Sequence, residues 1–219
     1  MSVRRRAAAA MPRDEAWRHV ERARGLASPA EARAFYRDWA SRYDADVYDG
    51  IKVTGTARIA ALLGSRLSDR AAHIIDLGCG TGAAGVEVTR LGFQHIVGLD
   101  LSPEMLAVAR SKGVYRHLLA ADLLAPLAVA EGAYDAAISA GTFTTGHVGA
   151  AALPEIIRIV RPRGLIACVV AHGFWRSGGF EAAIGELSGS GRLRLLHDSL
   201  EPVRRDGPPD GRFLVLLRN

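Results

Sequence analysis

The segment HIIDLGCGTG, at residues 73–82, constrains the fold more than any other part of the sequence. It is an apolar run that ends near Asp76 and then breaks into alternating glycines. Such a run is typical of a buried strand, and the TGAAGVEVTRLG that follows predicts a helix ending at a glycine. A strand, a glycine loop and a helix in this order form the nucleotide-binding unit of parallel α/β sheets. We therefore expect such a sheet, with a ligand at the loop.

The rest of the chain from residue 72 continues the alternation of strands and helices. Strands are predicted for HIVGLD, HLLAAD, YDAAISA and LIACVVA, and helices for SPEMLAVARSKG and AALPEIIRIVRPRG. This alternation predicts an α/β fold with a mostly parallel sheet and helices on both faces. At the C-terminal end, GRLRLLHDSL and RFLVLLRN are joined by a loop without a helix, which predicts a reversed hairpin at one edge.

Three regions are predicted along the 219 residues. Residues 1–11 form a disordered leader, residues 12–50 a helical N-terminal flap, and residues 51–219 the α/β core. The flap carries six of the fourteen aromatic residues of the chain. These aromatic rings either pin a helix to the core or form a lid over a ligand, and both interpretations stay open.

The net charge of +5 raises the question of a nucleic-acid partner. The basic residues are almost all arginines and are scattered, and the tight runs, Arg4–Arg6 and Arg204–Arg205, lie near the chain ends. We therefore expect no nucleic-acid partner. With no apolar stretch of about 20 residues, no membrane partner is expected either. Cys79 and Cys168 have neither the spacing of a metal site nor that of a disulfide framework, so no metal and a cytoplasmic location are predicted. The protein is expected to be a monomer or a homodimer.

The carboxylate of Asp76 limits which ligand the glycine loop can take. Gly80, Gly82 and Gly85, with Asp100 twenty residues further on, even satisfy the pattern of a dinucleotide site. A pyrophosphate on the helix N-terminus would however face Asp76, and like charges repel strongly in a semi-buried site. S-adenosylmethionine carries an ammonium, a sulfonium and no phosphate, so this cofactor is predicted and a nicotinamide oxidoreductase is disfavoured.

Acidic residues end three successive strands, and these ends meet at the ligand-binding edge of a parallel sheet. Asp100 suits the ribose hydroxyls and Asp122 the adenine amino group, while neighbouring apolar side chains offer a slot for the ring. Ser139 ends the fourth strand, below the methyl-donor end of the cofactor. The residues predicted to bind the cofactor are Asp76, Gly78, Cys79, Gly80, Asp100, Leu101, Met105, Asp122, Leu123 and Ser139.

The motifs DLGCGTG, GLDLSPEML, AADLL, YDAAISAGTF and RIVRPRGL resemble those of class I S-adenosylmethionine-dependent methyltransferases. FYRDWASRYDADV and GTFTTGHVGAAALPEIIRIVRPRG further resemble the Williams–Beuren-region methyltransferase-like branch. The resemblance covers about residues 35–172. It implies a Rossmann-like seven-stranded sheet of order 3-2-1-4-5-7-6 with strand 7 antiparallel, and it implies that Tyr43 covers the cofactor. The turn RPRG departs from the commoner proline-glycine-glycine.

Candidates for catalysis and substrate binding follow the fourth and fifth strands or lie in the flap. His147 is the histidine placed near the sulfonium, where it could accept a proton from an attacking atom; a loop histidine without that role is an equal alternative. Tyr36, His172 and Trp175 are predicted on the substrate side. SAGT stands where amino-directed nucleic-acid methyltransferases carry a proline-rich motif, and no acids are present for a magnesium site.

The residues thus favour an S-adenosylmethionine-dependent methyltransferase that acts on an oxygen or nitrogen atom of a small molecule and releases S-adenosylhomocysteine. The alternatives are an RNA or protein methyltransferase, which the basic charge favours slightly, and a non-catalytic S-adenosylmethionine-binding protein. The intact motifs are compatible with all three functions.

Overall fold

A seven-stranded sheet forms the centre of the computed structural model, which describes residues 11–219. The strands are β1 (His73–Leu77), β2 (His95–Asp100), β3 (His117–Ala120), β4 (Tyr134–Phe143), β5 (Val160–Ala171), β6 (Leu193–Glu201) and β7 (Gly211–Arg218). Their order is β3-β2-β1-β4-β5-β7-β6, and β7 runs antiparallel to both neighbours. The order and the reversed hairpin are as predicted. The predicted leader, apart from Met11, lies outside the described residues.

Helices cover both faces of the sheet and form the N-terminal segment. They are α1 (Arg13–Arg24), α2 (Pro29–Trp39), α3 (Gly55–Gly64), α4 (Ala83–Arg90), α5 (Pro103–Ser111), α6 (Leu153–Ile159) and α7 (Phe180–Gly189). Helix α2 ends at Trp39, and a π-helix (Ala45–Gly50) follows. Helix α7 was not predicted from the sequence. No helix in the described part of the chain is long and apolar enough to cross a membrane.

Two apolar clusters, one on each face, hold the helices to the sheet. Alternate side chains of β1 point to opposite faces, so Ile74 packs in one cluster and Ile75 in the other. Helices α3 and α4 contribute to the cluster around Ile74, and α6 and α7 to the cluster around Ile75. The sheet is thereby buried on both sides, as a parallel sheet requires.

Side-chain caps fix where helices α2 and α5 begin. Ser28 Oγ accepts a hydrogen bond from the Glu31 amide (3.2 Å), and Glu31 Oε2 accepts one from the Ala27 amide (2.9 Å), an arrangement similar to a capping box at the start of α2. Ser102 Oγ accepts a hydrogen bond from the Met105 amide at the start of α5 (3.2 Å). Ser102 is the N-cap of α5.

Polar contacts fasten the segment 12–50, called the flap, to the core. Asp44 accepts a hydrogen bond from the Thr81 hydroxyl in the glycine loop and pairs with Lys112 Nζ after α5 (2.6 Å). Within the flap, the fully buried Asp46 accepts a hydrogen bond from Trp39 Nε1 (2.9 Å). A carboxylate that is buried among hydrogen-bond donors favours one arrangement of the segment.

Candidate active site

The loop after β1 depends on glycines for its shape. Gly78 and Gly80 have positive φ angles of 67° and 52°, which residues with a Cβ rarely adopt. A Cβ at Gly78 would also run into the side chain of Thr142 on β4. The bare backbone therefore passes close to β4 and leaves open space above the ends of the central strands.

Asp100, the last residue of β2, ties the glycine loop to the helix that follows it. Its Oδ2 accepts a hydrogen bond from the Gly80 amide (2.8 Å) and its Oδ1 one from the Ser102 amide (2.9 Å). Burial raises the pKa of Asp100, and these amide hydrogen bonds partly oppose the shift. Each carboxylate oxygen can accept a further hydrogen bond, so the group is able to take hydroxyl donors from a ligand.

A cavity of about 360 Å³, the cofactor cavity, lies over this edge of the sheet between the strand ends and the flap. Eleven of the fifteen residues predicted for cofactor, substrate or catalysis line it. They are Tyr36, Tyr43, Gly78, Cys79, Gly80, Asp100, Leu101, Met105, Asp122, Leu123 and His147. The structure therefore brings together residues that are more than a hundred positions apart in the sequence.

Asp76 lies behind the glycine loop and not on the cavity wall. Its side chain is fully buried, and its Oδ2 accepts a hydrogen bond from the Tyr115 hydroxyl (2.6 Å), while Oδ1 has no hydrogen-bond partner among the described residues. Burial raises the pKa of Asp76 to about 7, although the Tyr115 hydrogen bond opposes this. Asp76 was predicted to organise the contacts of the ligand ammonium, directly or through water, but its carboxylate accepts from Tyr115 and does not line the cavity.

Three other predicted residues also lie off the cavity. Ser139 is buried in β4 and donates a hydrogen bond to the Leu77 carbonyl (2.8 Å). Trp175 packs in the core against Phe180 and beneath the Arg212 guanidinium (4.1 Å to the ring centre). His172 is exposed, and its backbone amide donates a hydrogen bond to a carbonyl of the loop between β6 and β7. The prediction of His172 and Trp175 at the substrate side is corrected accordingly, because the chain turns away after β5.

Tyr36 and His147 form a hydrogen-bonded pair at the flap side of the cofactor cavity. The Tyr36 hydroxyl lies 2.6 Å from His147 Nε2, and His147 Nδ1 lies 3.1 Å from the Thr145 carbonyl. Because a carbonyl only accepts, Nδ1 carries the proton and Nε2 accepts from Tyr36 when His147 is neutral. Burial lowers the pKa of His147, so the neutral form prevails near pH 7.

A second cavity, of about 150 Å³, lies on the other side of this pair and is called the acceptor cavity. The flap, the ends of β4 and β5, and the β6–β7 loop form its walls. Six residues line both cavities, namely Tyr36, Tyr43, Tyr48, Ala140, Gly141 and His147. The two spaces therefore meet at the tyrosines and His147 of this shared wall.

Several residues of the site were not predicted from the sequence. Tyr48, Thr81 and residues 26–28 line the cofactor cavity, and Tyr115 holds Asp76. The capping box around Ser28 is visible in the sequence, but its position beside the β3 end depends on how the flap folds back. Contacts of that kind leave no local pattern in the sequence.

The charges and shape of the cofactor cavity fit S-adenosylmethionine better than a dinucleotide. Asp100 and Asp122 are on its wall with one guanidinium, that of Arg33. Leu101 and Met105 supply apolar surface for a ring. No group of three or more potential metal ligands occurs within residues 11–219.

The sheet order, the glycine loop and the acidic strand ends together define the class I S-adenosylmethionine-dependent methyltransferases, and the chain is of this class. Residues 75–168 match the family model described as Methyltransferase domain. This confirms the predicted class and its predicted cofactor.

Two curated relatives and one solved structure illustrate the similarity. The chain is 35% identical to "Methyltransferase-like protein 27" of Homo sapiens over 152 residues. These aligned residues cover 67% of this chain and 60% of that protein. It is 39% identical over 66 residues to the "18S rRNA (guanine(1575)-N(7))-methyltransferase" of Saccharomyces cerevisiae, 30% of this chain and 24% of that protein. The chain thus spans less than two thirds of either relative.

Magnesium protoporphyrin IX methyltransferase from Synechocystis, solved with bound S-adenosylhomocysteine, has a similar fold. The TM-score is 0.64 at 17% identity, over 87% of this chain and 99% of that chain. This likeness concerns the fold. The named proteins act on acceptors as different as an rRNA and a porphyrin, so the similarity does not indicate one class of acceptor.

Proposed function

We propose that the protein transfers a methyl group from S-adenosylmethionine to an oxygen or nitrogen atom of a small molecule. The observation that carries the proposal is the acceptor cavity, which adjoins the cofactor cavity at Tyr36, Tyr43 and His147. Its volume of about 150 Å³ suits a small molecule, and the flap forms one of its walls. A folded nucleic acid would have to displace the flap to reach this place.

When bound, S-adenosylmethionine supplies a methyl group that is activated on a sulfonium. The chain then has to align the acceptor and exclude water from it. Ala140 and Gly141, at the end of β4, line both cavities and have little or no side chain, so an acceptor can approach the backbone there. The flap tyrosines shield the junction from solvent.

The Tyr36–His147 pair is placed to remove the proton of the acceptor. An acceptor hydroxyl or amine donates a hydrogen bond to the Tyr36 oxygen, and Tyr36 donates its own proton to His147 Nε2. The hydrogen bond from His147 Nδ1 to the Thr145 carbonyl orients the ring and stabilises the imidazolium that results. His147 was expected to accept the proton from the attacking atom itself. Because the Tyr36 hydroxyl occupies Nε2, His147 acts through Tyr36 instead.

Isotope-labelled S-adenosylmethionine tests the proposal. The protein is incubated with metabolite, RNA and protein fractions of a cell extract, and the label in each fraction is counted. We expect label in the metabolite fraction, and a loss of about 100-fold or more with His147→Gln if the pair transfers the proton. Calorimetry with S-adenosylhomocysteine checks that the variant is folded.

Other distributions of the label would contradict the proposal. Label confined to RNA or to protein would establish a macromolecular acceptor. Label in none of the fractions, from a protein that binds S-adenosylhomocysteine, would favour a non-catalytic binding protein.

A further inference from the structure

Two arginines from distant parts of the chain meet at the acceptor cavity. Arg24 is the last residue of α1, and Arg204 lies in the loop between β6 and β7. Both guanidinium groups approach the ring of Trp17, which also lines the cavity: Arg204 Cζ is 4.2 Å and Arg24 Cζ 5.4 Å from the ring centre. An aromatic face attracts a cation and thus holds both groups near the cavity.

Neither guanidinium is neutralised by a carboxylate of the described chain. None of the ion pairs found within residues 11–219 includes Arg24 or Arg204. Arg204 Nε is buried and has no hydrogen-bond partner among these residues. Buried donors are nearly always paired in folded proteins, and Arg204 lines the cavity wall, so its guanidinium is available to an acceptor that a ligand supplies.

One carboxylate, that of Asp210, lies on the same wall. Its Oδ1 accepts a hydrogen bond from the Val203 amide (3.2 Å), which assigns it to the structure of the loop. Two guanidinium groups against one carboxylate leave the cavity with a net positive charge while His147 is neutral. The remaining wall is mostly apolar, with Trp39, for example, contributing an aromatic surface.

We infer that the acceptor cavity binds a small apolar or aromatic molecule with a carboxylate group, and that Arg24 and Arg204 hold the carboxylate. The inference rests on the proposed function, because it names the class of acceptor for the same site. A planar guanidinium matches a carboxylate with two parallel hydrogen bonds, and the apolar wall takes the remainder of the molecule. The atom that receives the methyl group then lies towards Tyr36.

Matched pairs of charged and neutral probes test this inference by calorimetry. Benzoate is compared with benzyl alcohol, phenylacetate with 2-phenylethanol, and hexanoate with hexanol, each with and without S-adenosylhomocysteine. We expect at least one carboxylate to bind about tenfold tighter than its neutral counterpart, because the neutral probe leaves the guanidinium donors unpaired. Arg204→Gln should abolish this preference.

A control distinguishes the cavity from general attraction by positive charge. Arg205 is the next residue in the same loop, is exposed and does not line the cavity, so Arg205→Gln should leave the carboxylate preference unchanged. Arg24→Gln should reduce it. Quenching of Trp17 fluorescence, identified with a Trp17→Phe variant, should accompany binding.

The inference is overturned if all three carboxylates bind no better than their neutral counterparts, or if Arg204→Gln and Arg205→Gln have equal effects. Binding of S-adenosylhomocysteine is measured separately. If the cofactor product binds and the carboxylate preference is absent, the inference alone fails. If S-adenosylhomocysteine does not bind, the proposed function fails. The probe titrations without S-adenosylhomocysteine then still show whether the cavity prefers carboxylates.

Discussion

Replacing Asp76 by asparagine should change how the stability of the protein depends on pH. The carboxyl group is 1% exposed, and its pKa is raised to about 7 by burial. Asparagine has nearly the same shape and keeps an oxygen that can accept the hydrogen bond of Tyr115. The substitution therefore removes a titrating group with little change in packing.

The magnitude follows from the difference between the folded and unfolded pKa values. An aspartate in an unfolded chain has a pKa of about 3.9, so the folded state holds its proton more tightly between about pH 4 and pH 7. The stability from this group is fully present below about pH 4 and is lost as the pH rises through 7. At about 1.4 kcal/mol per pH unit, the total loss is about 4 kcal/mol, of which about 3 kcal/mol falls between pH 5 and pH 8.

Urea unfolding of the wild type and of Asp76→Asn at pH 5, 6, 7 and 8 measures this effect. The difference in unfolding free energy should shift by about 3 kcal/mol in favour of the variant across the range, and other titrating groups cancel in the difference. Tyr115→Phe removes the hydrogen bond that lowers the pKa, so its stability should continue to fall above pH 7. A difference between wild type and Asp76→Asn that is constant with pH would show that Asp76 does not titrate in this range.

Three further predictions concern the cofactor cavity, a turn and the flap. Asp100→Ala should weaken S-adenosylhomocysteine binding about 10- to 100-fold in calorimetry, because ligand hydroxyls lose a charged acceptor; unchanged affinity would contradict this role. Arg163 has a positive φ of 63°, so Arg163→Gly should raise the unfolding free energy by about 1 kcal/mol and Arg163→Ala should not. Asp44→Asn should speed amide hydrogen exchange over residues 35–50, because Asp44 contacts Thr81 and Lys112 in the core. Equal exchange rates in wild type and variant would show that Asp44 does not hold the flap to the core.

The sheet could be predicted because its strands carry local signals. Each parallel strand is a short apolar run between turn residues, and the motifs of the class supplied the order. Helix α7 was missed because its sequence, FEAAIGELSG, follows two glycines and contains two more, which resembles a loop. The π-helix Ala45–Gly50 has no local signal either: it packs around Asp46, whose burial depends on Trp39 and the rest of the flap.

The residues of the candidate site also fall into those that the sequence predicts and those that it does not. Asp100 and Asp122 were predictable because the carboxyl ends of neighbouring parallel strands meet at one edge. The contacts Thr81–Asp44 and Tyr36–His147 join residues 37 and 111 positions apart, and no periodicity marks such pairs. Trp175 was misplaced because an aromatic residue after a strand has the same sequence pattern whether it enters the core or a site.

The flap connects the two cavities energetically. It contacts the glycine loop through Asp44 and the β4–α6 loop through Tyr36, and its tyrosines line both spaces. A cofactor that contacts these tyrosines stabilises the ordered flap, and the ordered flap is one wall of the acceptor cavity. By linkage, the acceptor must then favour cofactor binding by the same factor. Acceptor affinities measured with S-adenosylhomocysteine should therefore exceed those without it, and the excess measures how much of the acceptor cavity the flap provides.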